Sequence, residues 1–340
     1  MKKKFIAACA LMLSTLAFTA CGASNQKLTF DPNWRSNVLS ETPAGTKETL
    51  TYEVKFEDHN TFLHKEYFTV AYCLTPGSYV TTLEYEGDDT YKYVTELSVP
   101  VQYKLVSDEA QTKTFTDYIK TETVFKKASD YLRPISSKKT AHCYSPNDYD
   151  ATLMEHAYTE YHYEFFTEYT DSLSENKLTR TDFSEKRTLL PKNSYESAVS
   201  KTWFDVDQSK YTYLDNDQLL FALRGLSNTA IATSKTVNVY NASLLAMETV
   251  TTTPSESQKT AFTLSIDGGE SKSYTIENTP ITIKTGNKNA GISQTLYYAK
   301  TTSNTDNKYR NVLLKMVVPM HYGLGTLTHT LQKAEFSKQA

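Results

Sequence analysis

From Tyr91 to Leu105 the chain alternates apolar and polar residues without a break. Tyr91, Tyr93, Leu97, Val99, Val101, Tyr103 and Leu105 share one parity, with Thr95 among them, while Lys92, Glu96, Gln102 and Lys104 take the other. Only an extended chain places alternate residues on one face. The segment therefore predicts a strand with one dry face. Its length suits a large curved sheet better than a compact sandwich, since ordinary strands run to about 5–6 residues. Leu50, Tyr52, Val54 and Phe56 repeat the pattern within Thr49 to Glu57. The 25 Tyr and 15 Phe, set against only 11 Gly, favour the same pleated surfaces.

Further strands are predicted over Glu66 to Leu74, Tyr79 to Glu86, Thr112 to Phe125, His156 to Tyr169 and Leu178 to Leu190. After them come Thr236 to Tyr240, Leu244 to Thr253, Ala261 to Ile266, Ser273 to Ile276, Ile281 to Lys284, Ile292 to Lys300, Asn311 to His321 and Thr326 to Phe336. Gly87-Asp88-Asp89 and Asp267-Gly268-Gly269 supply turns. Pro100 predicts an edge or a bulge, because proline cannot donate to a ladder. Lys126 to Asp150, broken by Pro134 and Pro146, reads as irregular apart from a short strand near Thr140 to Tyr144. One helix is predicted at Asn216 to Arg224, capped by Asp215 with Gln218 three residues on, with Leu219, Leu220 and Leu223 on one face and Gly225 at the exit. Strand follows strand with no helical crossover, so the expected fold is all-β and mainly antiparallel with one short helix: a large curved sheet or an open, unclosed β-barrel.

The N-terminus carries a different signal. Lys2, Lys3 and Lys4 precede a 14-residue apolar run from Phe5 to Phe18, followed by Thr19-Ala20-Cys21. The run falls short of the roughly 20 residues that span a bilayer, and it has the layout of a cleaved secretory signal. Phe18-Thr19-Ala20-Cys21 resembles the lipobox of bacterial lipoproteins. That resemblance implies a diacylglyceryl group on the Cys21 sulfur, with Cys21 as the mature N-terminus, and two acyl chains anchor stably where one does not. The expected organisation is a signal peptide at 1–20, a lipidated N-terminus and flexible linker at 21–46, and an antiparallel β domain at 47–340. The expected location is the cell envelope, on the outer face of a membrane.

A net charge of -3 with no basic block after Lys4 excludes nucleic acid as an expected partner. With Cys9 in the signal and Cys21 lipidated, Cys73 and Cys143 remain. Outside the cytoplasm a disulfide between them is permitted; two separate thiols, with Cys73 as a small strand hydrophobe, is the other reading. There is no Cys-x-x-Cys, no Gly-x-Ser-x-Gly, no His-Glu-x-x-His and no phosphate loop, so neither catalytic residues nor a cofactor are expected. On a strand, His156, Tyr158, Glu160, His162 and Glu164 share a face whose donors suit zinc. Neighbours two apart are about 7 Å apart, however, so such a site needs ligands from an adjacent strand. A wet outer face is the plainer reading, no metal is assigned, and His59 and His64 raise the same question more weakly. The apolar face Tyr91, Tyr93, Leu97, Val99, Val101, Tyr103 and Leu105 is the candidate lining for an apolar ligand, or plain core if the sheet closes.

Three stretches, Leu50 to Phe56, Asp217 to Arg224 and Leu313 to Leu331, resemble an uncharacterised family of secreted open β-barrel proteins distantly akin to the Lol-type lipoprotein carriers. The resemblance implies a strongly bent sheet with a helix near its mouth and an apolar concave face. The functional expectation is a non-enzymatic envelope lipoprotein that binds an apolar small molecule, a lipid or an envelope partner in that concave sheet. The alternative is a structural or adhesion-type lipoprotein that binds protein or glycan.

Overall fold

The computed structural model describes residues 45–58, 67–128, 131–147, 153–173, 175–185, 196–200, 213–224, 234–243, 246–285, 293–300, 312–320 and 325–338. The signal segment, Cys21, most of the linker, His59, His64 and Gly225 lie outside the described residues.

The predicted alternation is realised in β4 (Thr90–Leu105), whose sixteen residues alternate between buried and half-buried throughout. β4 pairs with β3 (Gly77–Gly87) along its first part and with β2 (Phe68–Tyr72) along its last. Its other edge carries β5 (Thr112–Ala128), then in antiparallel succession β6 (Tyr131–Pro146), β7 (Tyr158–Tyr169), β8 (Asn176–Asp182) and β9 (Glu196–Ser200). β3 is joined through β1 (Thr46–Asp58) to β17 (Gly325–Lys338). Beyond β17 lie β16 (Leu313–Pro319), β15 (Ser293–Ala299) and β14 (Lys272–Thr285). β14 pairs with β13 (Gln258–Ile266) along its first half and β12 (Ala246–Pro254) along its second; β11 (Lys235–Asn241) and β10 (Tyr213–Asp215) follow β12.

The barrel is closed, not open as expected. Ser265 and Ile266 of β13 pair in parallel with Lys333 and Ala334 of β17, so β13 to β17 form a five-stranded ring from whose wall the other strands extend. Asp267 reinforces the seam: its N–H donates to the Ala334 carbonyl at 2.9 Å, and its Oδ1 accepts from the Phe336 N–H at 2.8 Å. The pairing is antiparallel everywhere else except between β10 and β11.

The prolines explain three further corrections. Pro100 lies at neither an edge nor a bulge. Its carbonyl accepts the Cys73 N–H at 2.8 Å, so its missing donor faces the gap where β4 passes from partner β3 to partner β2. Pro280 does the same in β14: its carbonyl takes the Ser255 N–H at 2.8 Å, between the β13 and β12 pairings. That is why Ser273 to Ile276 and Ile281 to Lys284 form one strand. At the first gap Gly77 is obligatory, since a Cβ there would stand 2.6 Å from the Ser98 carbonyl oxygen. The stretch expected to be irregular is β6, of sixteen residues; Pro134 sits where the β5–β6 register shifts opposite Phe125, and Pro146 ends the strand.

Cys73 and Cys143 are not bonded. β4 and β5 stand between the Cys73 turn and β6, a separation of about 14 Å at strand spacing, beyond disulfide reach.

Candidate functional site

The interior is organised by the helix. Its 3-10 first turn, Asn216–Gln218, runs into α1 (Leu219–Ala222), and the predicted capping box is present: Asp215 Oδ1 accepts the Asp217 N–H at 2.8 Å and the Asp215 N–H donates to Gln218 Oε1. Strands from across the sheet touch this segment. Ser137 of β6 donates to Asp215 Oδ1 at 3.0 Å, Tyr169 of β7 donates to the other Asp215 oxygen, and Lys139 of β6 lies 3.5 Å from Asp217. At the far end Arg224 makes a bidentate ion pair with Glu48 of β1, at 3.1 and 2.5 Å, both groups buried. Between the ends, the Leu220 carbonyl accepts the Tyr298 hydroxyl of β15 at 2.6 Å, and the Phe221 ring packs on Tyr93 of β4 and Phe125 of β5 with centroids 5.8 and 5.1 Å away. Strands so far apart in the sheet can meet one short helix only if the sheet wraps around it.

Every residue proposed to line a ligand site is in this core: Tyr91, Tyr93, Leu97, Val99, Val101, Tyr103 and Leu105 are at most 3% exposed. Tyr93 is covered by the helix, Tyr91 packs on Phe125, and Tyr103 donates to the Tyr144 carbonyl at 2.8 Å. Among the described residues a small cavity of about 20 Å³ lies where Tyr169, Leu173 and Asn176 face Tyr213 and Tyr240, room for about one water.

Burial shapes the charges inside. Asp117 sits where β5 and β6 separate, and its Oδ1 accepts the Tyr144 N–H at 2.7 Å in place of a ladder bond. Burial raises its carboxyl to about 7, with that hydrogen bond working the other way. Burial and the nearby Asp217 likewise raise Asp215. Burial disfavours the Arg224 charge, and Glu48 beside it more than restores it. On the ring wall, burial holds His329 neutral, down to about 4, edge-on to Tyr79 at 5.4 Å.

The sequence reading missed Glu48, Asp117, Lys139 and Arg224 as interior groups. The signal was parity: Glu48 alternates with Leu50 and Tyr52, Asp117 with Ile119, and Lys139 with Ala141 and Cys143, all of them buried.

The candidate metal face divides. His156 is exposed in a 3-10 turn, Met154–His156, before β7, and Glu164 pairs with Lys138 at 3.0 Å. Glu160 and His162 remain together on the outer face of β7, and the adjacent strand adds His142, directly opposite His162. The two imidazoles stack at 4.4 Å and 12°, and burial together with its His142 neighbour lowers the His162 pKa. Among the described residues, no group of three or more histidine, cysteine or carboxylate side chains stands in an arrangement that could hold a metal ion.

No family model matches the chain and no curated protein matches its sequence. Among solved structures it is similar to the β-barrel-like protein of the domain-of-unknown-function family DUF1849 from Brucella abortus. The identity is 9% and the TM-score 0.43, over 87% of this chain and 100% of that one. The fold rests on the strand pairing described above, not on this likeness.

Proposed function

We propose that this chain is a non-enzymatic lipoprotein, fastened to the outer face of a membrane by lipid on Cys21, and that it meets an envelope protein or glycan through the outside of its sheet. One observation carries the choice of the outside: the interior is already occupied by the helix, which is held by polar pairs at both ends and by Phe221 and Leu220 between them. A second reading places an apolar molecule or lipid against Tyr91 to Leu105, and the apolar character of that inner wall favours it. It requires the helix to leave, and departure strips the buried Glu48 and Lys139 of their partners on the inner face of the sheet, where a lone charge costs about 3–5 kcal/mol.

The anchor is tested by fractionation. The wild-type chain should stay with salt-washed membranes, and Cys21→Ser should leave them while keeping its far-UV spectrum and melting temperature. A Cys21→Ser protein that remains in the washed membranes would contradict the anchor.

A further inference from the structure

We propose that the outer face of β6 and β7 binds a divalent transition-metal ion of the Zn²⁺ type, through the imidazoles of His142 and His162 with the Glu160 carboxylate as third donor. The proposal does not depend on the lipid anchor. His142 and His162 are register partners. The His162 N–H donates to Ser184 Oγ at 2.8 Å and its carbonyl accepts the Phe183 N–H at 2.7 Å, both on the β8 side. Toward β6 the pair is therefore at a non-hydrogen-bonded position, where facing Cα atoms are only about 4.5 Å apart and side chains approach most closely. Glu160 stands two residues before His162 on the same face, with Oε1 2.7 Å from His142 Nε2, and the Tyr144 hydroxyl lies 3.0 Å from the same nitrogen.

Two imidazoles and a carboxylate are a borderline-soft donor set that suits Zn²⁺ or Cu²⁺; Mg²⁺ and Ca²⁺ take all-oxygen sites. The rings now lie face to face, so their nitrogens do not yet aim at one point. Turning both rings about their outer torsions gives up the stacking contact and the hydrogen bonds of His142 Nε2 to Glu160 and Tyr144, and bonds from the metal to the same nitrogen and carboxylate take their place. The His142 side chain is 37% exposed and Glu160 30%, so an ion reaches them without opening the sheet. In a lone β7 the donors two apart cannot converge; β6 supplies the missing neighbour.

The test is calorimetric titration of ZnCl₂ into the purified full chain in detergent. The expected result is one site that His142→Ala and His162→Ala each weaken at least about tenfold, with no heat from MgCl₂ and no change in His156→Ala. The three variants change half-exposed or exposed positions, and metal-free melting curves matching wild type establish that they fold. A wild-type chain that binds no Zn²⁺ at about 100 µM, near the limit of a useful site at about 5–6 kcal/mol, overturns the proposal. So does a His142→Ala/His162→Ala double variant that binds as tightly as wild type.

Discussion

Arg224→Met lowers the stability of the fold by about 3–5 kcal/mol, because it leaves the Glu48 carboxylate buried with its bidentate partner gone. Glu48 is 8% and Arg224 3% exposed, so water cannot take over the lost bonds. The loss should appear in urea denaturation as a lower midpoint with an unchanged slope. The double variant Glu48→Leu/Arg224→Met should recover most of it, since replacing both members of a buried pair by apolar groups of similar volume is often neutral or stabilising. Together the two results separate an ion pair that specifies where the helix docks from one that supplies net stability. A single variant within about 1 kcal/mol of wild type would mean that the pair is solvated and that the helix end is loose.

Asp117→Asn has its largest effect at alkaline pH. The folded protein holds the Asp117 proton up to about 7, whereas the unfolded chain releases it near the ordinary value of 3.8. The folded state thus binds more protons in that window. The contribution of Asp117 to stability is fully present below the unfolded value and is lost as pH rises through about 7. The slope approaches 1.4 kcal/mol per pH unit. Asparagine has no proton to lose and its oxygen can still accept the Tyr144 N–H. The variant should match wild type near pH 4 and exceed it at pH 8 by on the order of 2–4 kcal/mol. The comparison is between two chains that share Asp215 and His329, so their titrations cancel. Equal stability of the two proteins across the range would show that Asp117 is hydrated.

Strand existence was legible because alternation is a local property. β1, β3, β4 and β5 fall where the parity of their apolar residues places them. The capping box of Asp215 and Gln218 was legible for the same reason, as all its partners lie within four residues. What escaped depends on neighbours distant in the chain. Ring closure rests on two residue pairs between β13 and β17, some seventy positions apart, and nothing in either strand announces it. Pro100 reads as an edge or a bulge, and Ser273 to Ile276 and Ile281 to Lys284 read as two strands, although a central strand can carry a proline wherever two short neighbours meet end to end. Pro134 hid β6 in the same way and with it the place of His142 as the neighbour of His162. The buried charges were readable from parity, but their partners were not: Glu48 and Arg224 meet across 176 residues.

The most direct test is the intact mass of the native full-length gene product, recovered from membranes in mild detergent and measured by native mass spectrometry. The expected result is one species that begins at Cys21, carries its acyl anchor and holds no other lipid, because the helix covers the apolar inner face against which a cargo would lie. A second lipid bound in stoichiometric amount and released on denaturation, or a chain that still bears residues 1–20, would contradict it.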